Sequence, residues 1–290
     1  MNKFGVHALV WVGGWSEAES ERAIAGTAEL GYDLIEIPLL NPAKVDAART
    51  RRQLEAHGLT ATCSLGLAPD TDISGEDDAA VARGEALLND ALAVTRDIGA
   101  KYMGGVIYSA LGKYNRPPTA KGRANCAGVL NRLAAKAKAS GITLGLEAVN
   151  RYETNLLNTL AQAGEFIDEI GADNVVVHAD TYHMNIEDGN LAKAVRDCGA
   201  KVGYVHIGES HRGYLGTGTI DFTAVFRALH EIGYGGSIVF ESFSSAVVDP
   251  QLSTALAVWR NLWSDSRDLA AKAKAFMEAG WDSARRATNG

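Results

Sequence analysis

The feature that most constrains this chain is an alternation running its whole length, in which short, nearly continuous apolar runs are separated by longer amphipathic stretches. The runs cover residues 5–11, 34–38, 60–65, 102–108, 143–148, 175–180, 202–207 and 237–241. Most are nearly continuously apolar and several are β-branched, as strands buried on both faces should be. Helical stretches at 16–30, 45–57, 79–98, 120–140, 159–170, 190–198, 222–232 and 252–276 fill the intervals. Ser16, with Glu17 and Glu19 behind it, has the pattern of a helix start, and Gly31 and Gly58 have that of helix stops. Eight such units without a break in composition predict an α/β fold, a single (β/α)8 TIM barrel over 1–290 rather than two domains. The last stretch, 251–290, is expected to pack on the barrel or at a subunit interface. The length of 290 residues suits this architecture, which usually needs roughly 250. An open doubly wound sheet would carry GxGxxG after its first strand, and Trp11-Val12-Gly13-Gly14-Trp15 lacks that spacing.

Charge narrows the partners. The formal net charge is −7 and the isoelectric point about 5.5. A chain of that balance repels a phosphate backbone unless its cations cluster. The densest basic group, Arg49, Arg51 and Arg52, reads as the solvated face of a helix. No nucleic-acid partner is expected. No apolar run is long enough to span a bilayer, and the N-terminus lacks the pattern of a signal peptide. Cys63, Cys126 and Cys198 are odd in number and contain no CxxC, so a reducing cytoplasm fits best.

The informative polar residues fall at strand ends, the end of a barrel that faces an active site. The fifth to eighth runs finish in Glu147, Asp180, His206 and Glu241. Adjacent strands lie about 5 Å apart, so these side chains can converge. Singly, each has an ordinary explanation: a cap, an ion pair, a hydrogen-bonded core histidine. Together, three carboxylates and one imidazole make a mostly oxygen site for one divalent metal, Mn²⁺ first and Co²⁺ or Mg²⁺ as alternatives. Just beyond stand Asn150-Arg151-Tyr152-Glu153, His183, Glu209, His211 and Arg212, able to orient a polar ligand or to form surface ion pairs. His178 shares Asp180's face of its strand, as a partner of the ligands or as core. Trp259 and Trp263, four apart in the expected last helix, read as one apolar stripe for core or interface. Cys63 reads as a small buried side chain, since no base accompanies it.

Three segments carry a resemblance. Leu146-Glu147-Ala148-Val149-Asn150-Arg151-Tyr152-Glu153, Asp180-Thr181-Tyr182-His183-Met184-Asn185-Ile186-Glu187 and His206-Ile207-Gly208-Glu209-Ser210-His211-Arg212 resemble the ketose 3-epimerases of the xylose-isomerase-like barrel superfamily. That group acts on D-tagatose, D-allulose (psicose) and L-ribulose. The Asp180–Glu187 block is the most specific part, and Gly213-Tyr214-Leu215-Gly216-Thr217-Gly218 looks like the allulose and ribulose members. The resemblance implies metal ligands at Glu147, Asp180, His206 and Glu241, with Glu147 and Glu241 as the acid/base pair. It implies substrate contacts at Glu153, His183 and Arg212. His7 stands where members vary between aromatic and imidazole groups. Substrate choice is expected to depend on His7, Trp15, Ser64 and Gly66 within 64–67, and Ile107 within 107–114. A homodimer or homotetramer is implied.

The chemistry so implied removes a proton from C3, next to the ketose carbonyl, and returns one to the opposite face. A metal on O2 and O3 would stabilise a cis-enediolate, with the two glutamates above and below the carbon. The alternative in the same superfamily is an aldose–ketose isomerase with the same metal and carboxylates. An endonuclease-IV-like hydrolase would need more histidine ligands than these strands line up, and a non-catalytic sugar-binding barrel would need no opposed carboxylates.

Overall fold

The computed structural model describes residues 2–288. Eight strands, β1 (Lys3–His7), β2 (Leu34–Pro38), β3 (Thr60–Leu67), β4 (Tyr102–Ala110), β5 (Thr143–Glu147), β6 (Val175–Asp180), β7 (Val202–Ile207) and β8 (Ser237–Phe240), close into a barrel in chain order. All pairings are parallel, including β1 with β8. Around them run α1 (Glu17–Glu29), α2 (Ala47–His57), α3 (Asp78–Ile98), α4 (Ala120–Ala139), α5 (Leu160–Ile170), α6 (Thr181–Glu187), α7 (Leu191–Cys198), α8 (Phe222–Glu231), α9 (Pro250–Ala255) and α10 (Ser266–Thr288). Among the described residues no helix is long and apolar enough to cross a membrane.

The expected caps are in place. Ser16 and Glu19 exchange hydrogen bonds in a capping box, and Gly58 ends α2 at φ +66°. Two boundaries differ from expectation. The first strand stops at His7, because Ala8–Val10 turn into a 3-10 segment whose start is capped by the His7 ring. The expected helix at 252–276 is broken into α9 and α10. Ala257 takes φ +53°, and Asp265 accepts from the amides of Arg267 and Asp268, restarting the chain as a fresh helix. Trp259 and Trp263 therefore share no helical stripe: Trp259 is 71% exposed while Trp263 is buried. Leu269, Ala270, Ala273 and Met277 of α10 pack onto the barrel's outer layer, and the Tyr32 hydroxyl bonds the Ala270 carbonyl at 2.7 Å.

The barrel interior is filled, not hollow. Leu34, Tyr102, Tyr204 and Val239 form its floor, with the Tyr102 and Tyr204 rings stacked at 3.9 Å. Glycine makes room for them. A Cβ on Gly145 of β5 would sit 1.8 Å from the Tyr102 hydroxyl oxygen. Gly145→Ala should therefore overpack the floor and cost about 1–3 kcal/mol. Urea unfolding checks this, the expected result being a lower midpoint at unchanged slope.

Candidate metal centre and substrate pocket

Strand register delivers the site. Glu147 pairs with His178, and Asp180 pairs with His206. Residues two apart on a strand share a face, so Glu147, His178, Asp180 and His206 all point inward. Glu241 follows β8 directly and holds the ladder through its amide to Ile207. One ligand atom from each of Glu147, Asp180, His206 and Glu241 lies within 4.8 Å of the others, and all four residues are buried. His206 Nδ1 stands 3.5 Å from Glu147 Oε1, 3.5 Å from Glu241 Oε1 and 3.8 Å from Asp180 Oδ2. That nitrogen has no hydrogen-bond partner among the described residues. A buried, unpaired donor facing three carboxylates fits a divalent cation.

Asp180 does two things at once. Its Oδ1 caps α6 by accepting from the Tyr182 amide at 2.7 Å, while Oδ2 accepts from Arg212 Nη1 at 3.0 Å. The same guanidinium nitrogen reaches Glu241 Oε2 at 2.5 Å, and the group stacks 3.8 Å over the Tyr182 ring. Arg212 has φ 60°. A non-glycine residue there stores roughly 1–3 kcal/mol of strain, as backbones at functional sites do. The turn is braced from behind: Trp263 Nε1 donates to Ser242 Oγ, which donates to the Arg212 carbonyl.

The pKa directions separate the carboxylates. Burial pushes Glu241 up to about 8, against the opposing pull of Arg212 and His206. Burial would raise Glu147 as well, but the neighbouring His178, His206 and His183 rings, His206 also by a hydrogen bond, hold it below its ordinary value. Burial would raise Asp180 too, but Arg212, His183 and His206 together hold it well below its own. His7 and His178 are each lowered by burial to about 4 and so are neutral near pH 7.

His183 is set by Asn150. The Asn150 amide and side-chain nitrogens donate to Nδ1 at 3.1 and 2.9 Å, so in the neutral ring the proton sits on Nε2. Nε2 lies 3.1 Å from Arg212 Nη2. Two donors thus stand side by side with no acceptor between them, which suits a ligand oxygen. Asn150 also holds Glu153 Oε1 at 2.9 Å.

His7, Ser64, Gly66, Glu153, His183 and Arg212 all line one cleft of about 100 Å³ with Glu147, His206 and Glu241; Asp180 is not on its wall but is bonded to Arg212, which is. Its outer wall is apolar: Leu40, Val106, Leu111, Phe243, Leu252 and Leu256. Ile107 does not line it. Gly105 takes φ +97° beside a register shift in the β3–β4 pairing, so Val106 faces the cleft and Ile107 enters the core. Trp15 is also elsewhere, its indole donating to Thr50. Glu209 and His211 lie outside the cleft. Glu209 is buried and ties the amides of Ser210 and Gly216, and His211 bonds Thr217. A larger groove, about 440 Å³, lies outside between α5 and α7, but its lysines already pair with Asp197 and Asp168.

One neighbour escaped the strand-end pattern: Glu36, in the middle of β2, is fully buried and accepts from His206 Nε2 at 2.7 Å. A lone acid inside Leu34-Ile35-Glu36-Ile37-Pro38 was the available signal. His178 lies beside the ligands: its Nδ1 is 4.0 Å from Glu147 Oε2, its ring 4.1 Å from that of His206, and neither nitrogen has a hydrogen-bond partner among the described residues.

Comparison with known proteins gives a concordant picture. The family model described as xylose isomerase-like TIM barrel matches residues 24–277. The chain is 52% identical to the L-ribulose 3-epimerase of Methylomonas sp. (strain DH-1) over 276 residues, 95% of this chain and 96% of the relative. It is 49% identical to the ketose 3-epimerase of Arthrobacter globiformis over 275 residues, 95% of each. Of the solved structures, D-allulose 3-epimerase from Methylomonas sp. in complex with D-allulose has a TM-score of 0.94 at 52% identity, over 96% of both chains. An L-ribulose 3-epimerase has a TM-score of 0.97 at 47% identity, covering 100% of this chain and 97% of its own.

If the four inward residues form the cation site, Asp180→Asn should weaken Mn²⁺ binding by at least about 100-fold, since even outer partners of metal ligands contribute 10–100-fold. Calorimetric titration of the metal-stripped protein measures it. An unchanged affinity would remove Asp180 from the ligand set.

Proposed function

Because the chain belongs to the xylose isomerase-like TIM barrel family, and within it to the ketose 3-epimerases, we propose that it interconverts free ketoses of opposite configuration at C3, using one divalent cation. The observation that carries this reading is geometric: Glu147 and Glu241, buried and three strands apart on the barrel, converge with Asp180 and His206 on one point and both line the cleft. Two carboxylates brought from different strands to one bound carbon can serve as base and acid. Glu147 takes the proton from C3. Glu241 returns one from the other side. In the reverse reaction the two exchange roles.

Glu147, Asp180, His206 and Glu241 would hold the cation, which when bound acts as a Lewis acid easing the negative charge that develops as C3 loses its proton. Mn²⁺ is the first choice, with Co²⁺ or Mg²⁺ as alternatives, for a site of three carboxylates and one imidazole. His183 Nε2 and Arg212 Nη2 bind the sugar's O1 and O2 as paired donors, and Glu153 accepts the O1 hydroxyl. At the far end, His7 and Ser64 offer few polar contacts against an apolar wall. Recognition of carbons four to six is therefore loose, and D-allulose, D-tagatose and L-ribulose are all candidate substrates.

The three cysteines are free, two of them buried, in keeping with a cytoplasmic enzyme. Trp259, exposed to 71%, gives the expected homodimer or homotetramer an apolar contact.

Three experiments test the chemistry. Glu241→Gln should lower kcat by about 10²–10⁴-fold without loss of fold; near-normal turnover would refute the two-glutamate scheme. In D₂O, recovered ketose should carry deuterium at C3. Label confined to C1 would instead identify an aldose–ketose isomerase. Chelation should abolish turnover, with Mn²⁺, Co²⁺ or Mg²⁺ restoring it.

A further inference from the structure

Glu36 poses a question that the four ligands and the two-base scheme leave open. It lies mid-strand on β2, fully buried. Its Oε2 accepts from the Tyr204 hydroxyl at 2.7 Å and from His206 Nε2 at 2.7 Å. Its Oε1 has no hydrogen-bond partner among the described residues, and His7 Nε2 stands 3.7 Å from it. A buried carboxylate with one oxygen unpaired is a stability cost, and an uncharged side chain of similar volume is often neutral or better. Across the His206 ring, on its Nδ1 side, stand three further carboxylates. Nothing in the packing of the barrel requires a charge there.

Chemistry at His206 supplies the reason. A neutral imidazole has one proton for two nitrogens. Nδ1 faces Glu147, Asp180 and Glu241, where a bare nitrogen is needed to bind a cation. Nε2 faces Glu36, and an ionised carboxylate can only accept. We propose that Glu36 is a positioning residue for the cation site: it takes the Nε2–H of His206 and so fixes the ring in the tautomer that leaves Nδ1 free. The inference rests on the metal-dependent reading above and extends it to a residue outside the ligand set.

The brace is itself held firmly. Tyr204 and His206 are two apart on β7 and share its inward face, so one strand delivers the ligand and a second donor to the same carboxylate oxygen. The Tyr204 ring is stacked flat on Tyr102, and its hydroxyl also meets Thr62 Oγ1 at 2.7 Å. These contacts leave Glu36 Oε2 little freedom to leave His206.

The test compares metal-stripped wild type, Glu36→Gln and Glu36→Asp, each titrated with Mn²⁺ by calorimetry and melted without metal. Gln keeps the shape but can present an N–H to His206 Nε2, which drives the ring proton to Nδ1. The expected result is a 10–100-fold weaker Mn²⁺ affinity for Glu36→Gln, with a melting temperature of the metal-stripped protein equal to or above wild type. A purely structural role predicts the reverse, a lower melting temperature at unchanged affinity, and that outcome overturns the proposal. Should Glu36→Gln fail to fold, Glu36→Asp decides: it keeps the charge but draws it back, and affinity within twofold of wild type overturns the proposal, while a several-fold loss supports it. In the Mg²⁺-loaded wild type, ¹⁵N shifts should mark the His206 proton on Nε2; a proton on Nδ1 refutes the tautomer. If the wild type takes up no Mn²⁺, the metal reading falls and takes this inference with it. If the wild type binds and epimerises while Glu36→Gln matches it, only the role of Glu36 is lost.

Discussion

Four buried carboxylates at one end of a closed sheet are the constraint that organises this protein. Glu36, Glu147, Asp180 and Glu241 lie together with little or no exposure. Like charges so placed cost several kcal/mol each unless something answers them. The surroundings are largely that answer. Arg212 spans Asp180 and Glu241, the His206 ring stands among all four, and the start of α6 presents an amide to Asp180. The proposed divalent ion would complete the neutralisation, and a ketose epimerase needs positive charge at the same point, where a weakly acidic carbon must give up its proton.

The barrel makes that concentration of charge tolerable because it is rigid beneath. Tyr102 and Tyr204 fill the floor face to face, and Gly145 of β5 and Gly104 of β4 leave room for the Tyr102 ring. The charged layer rests on a packed layer that cannot collapse to relieve repulsion. Parallel register fixes the rest, since a slip of one residue on β6 or β7 would turn Asp180 or His206 to the helical side.

Much of this was legible in the amino-acid sequence, for a physical reason. In a parallel barrel a polar residue ending an apolar run must surface at the active-site mouth, so Glu147, Asp180, His206 and Glu241 stood out by position alone. Glu36 carried a signal of another kind, an acid enclosed by isoleucines, and only the pairing of His7 with Glu36 and of Glu36 with Thr62 shows that it points inward. Ile107 and Val106 could not be separated, because the positive φ of Gly105 and the break in β3–β4 pairing just after Val106 decide which of two adjacent apolar residues faces the cleft. The tryptophans misled through periodicity: four-residue spacing suggested one helix face, while the helix-starting pattern of Asp265 lay just downstream. The strained backbone at Arg212 has no sequence signature, as it arises where the turn after β7 meets Ser242.

The chain of contacts from Trp263 through Ser242 to the Arg212 carbonyl has a consequence for how such an enzyme diversifies. The arginine proposed to meet the sugar is anchored partly by an irregular segment near the C-terminus, outside the eight repeating units and remote from the carboxylates in the chain. The same guanidinium holds Asp180 and Glu241, so a change in that segment would reach the proposed sugar donor and the proposed acid together. Drift there is constrained by the chemistry it supports, distant as it lies in sequence.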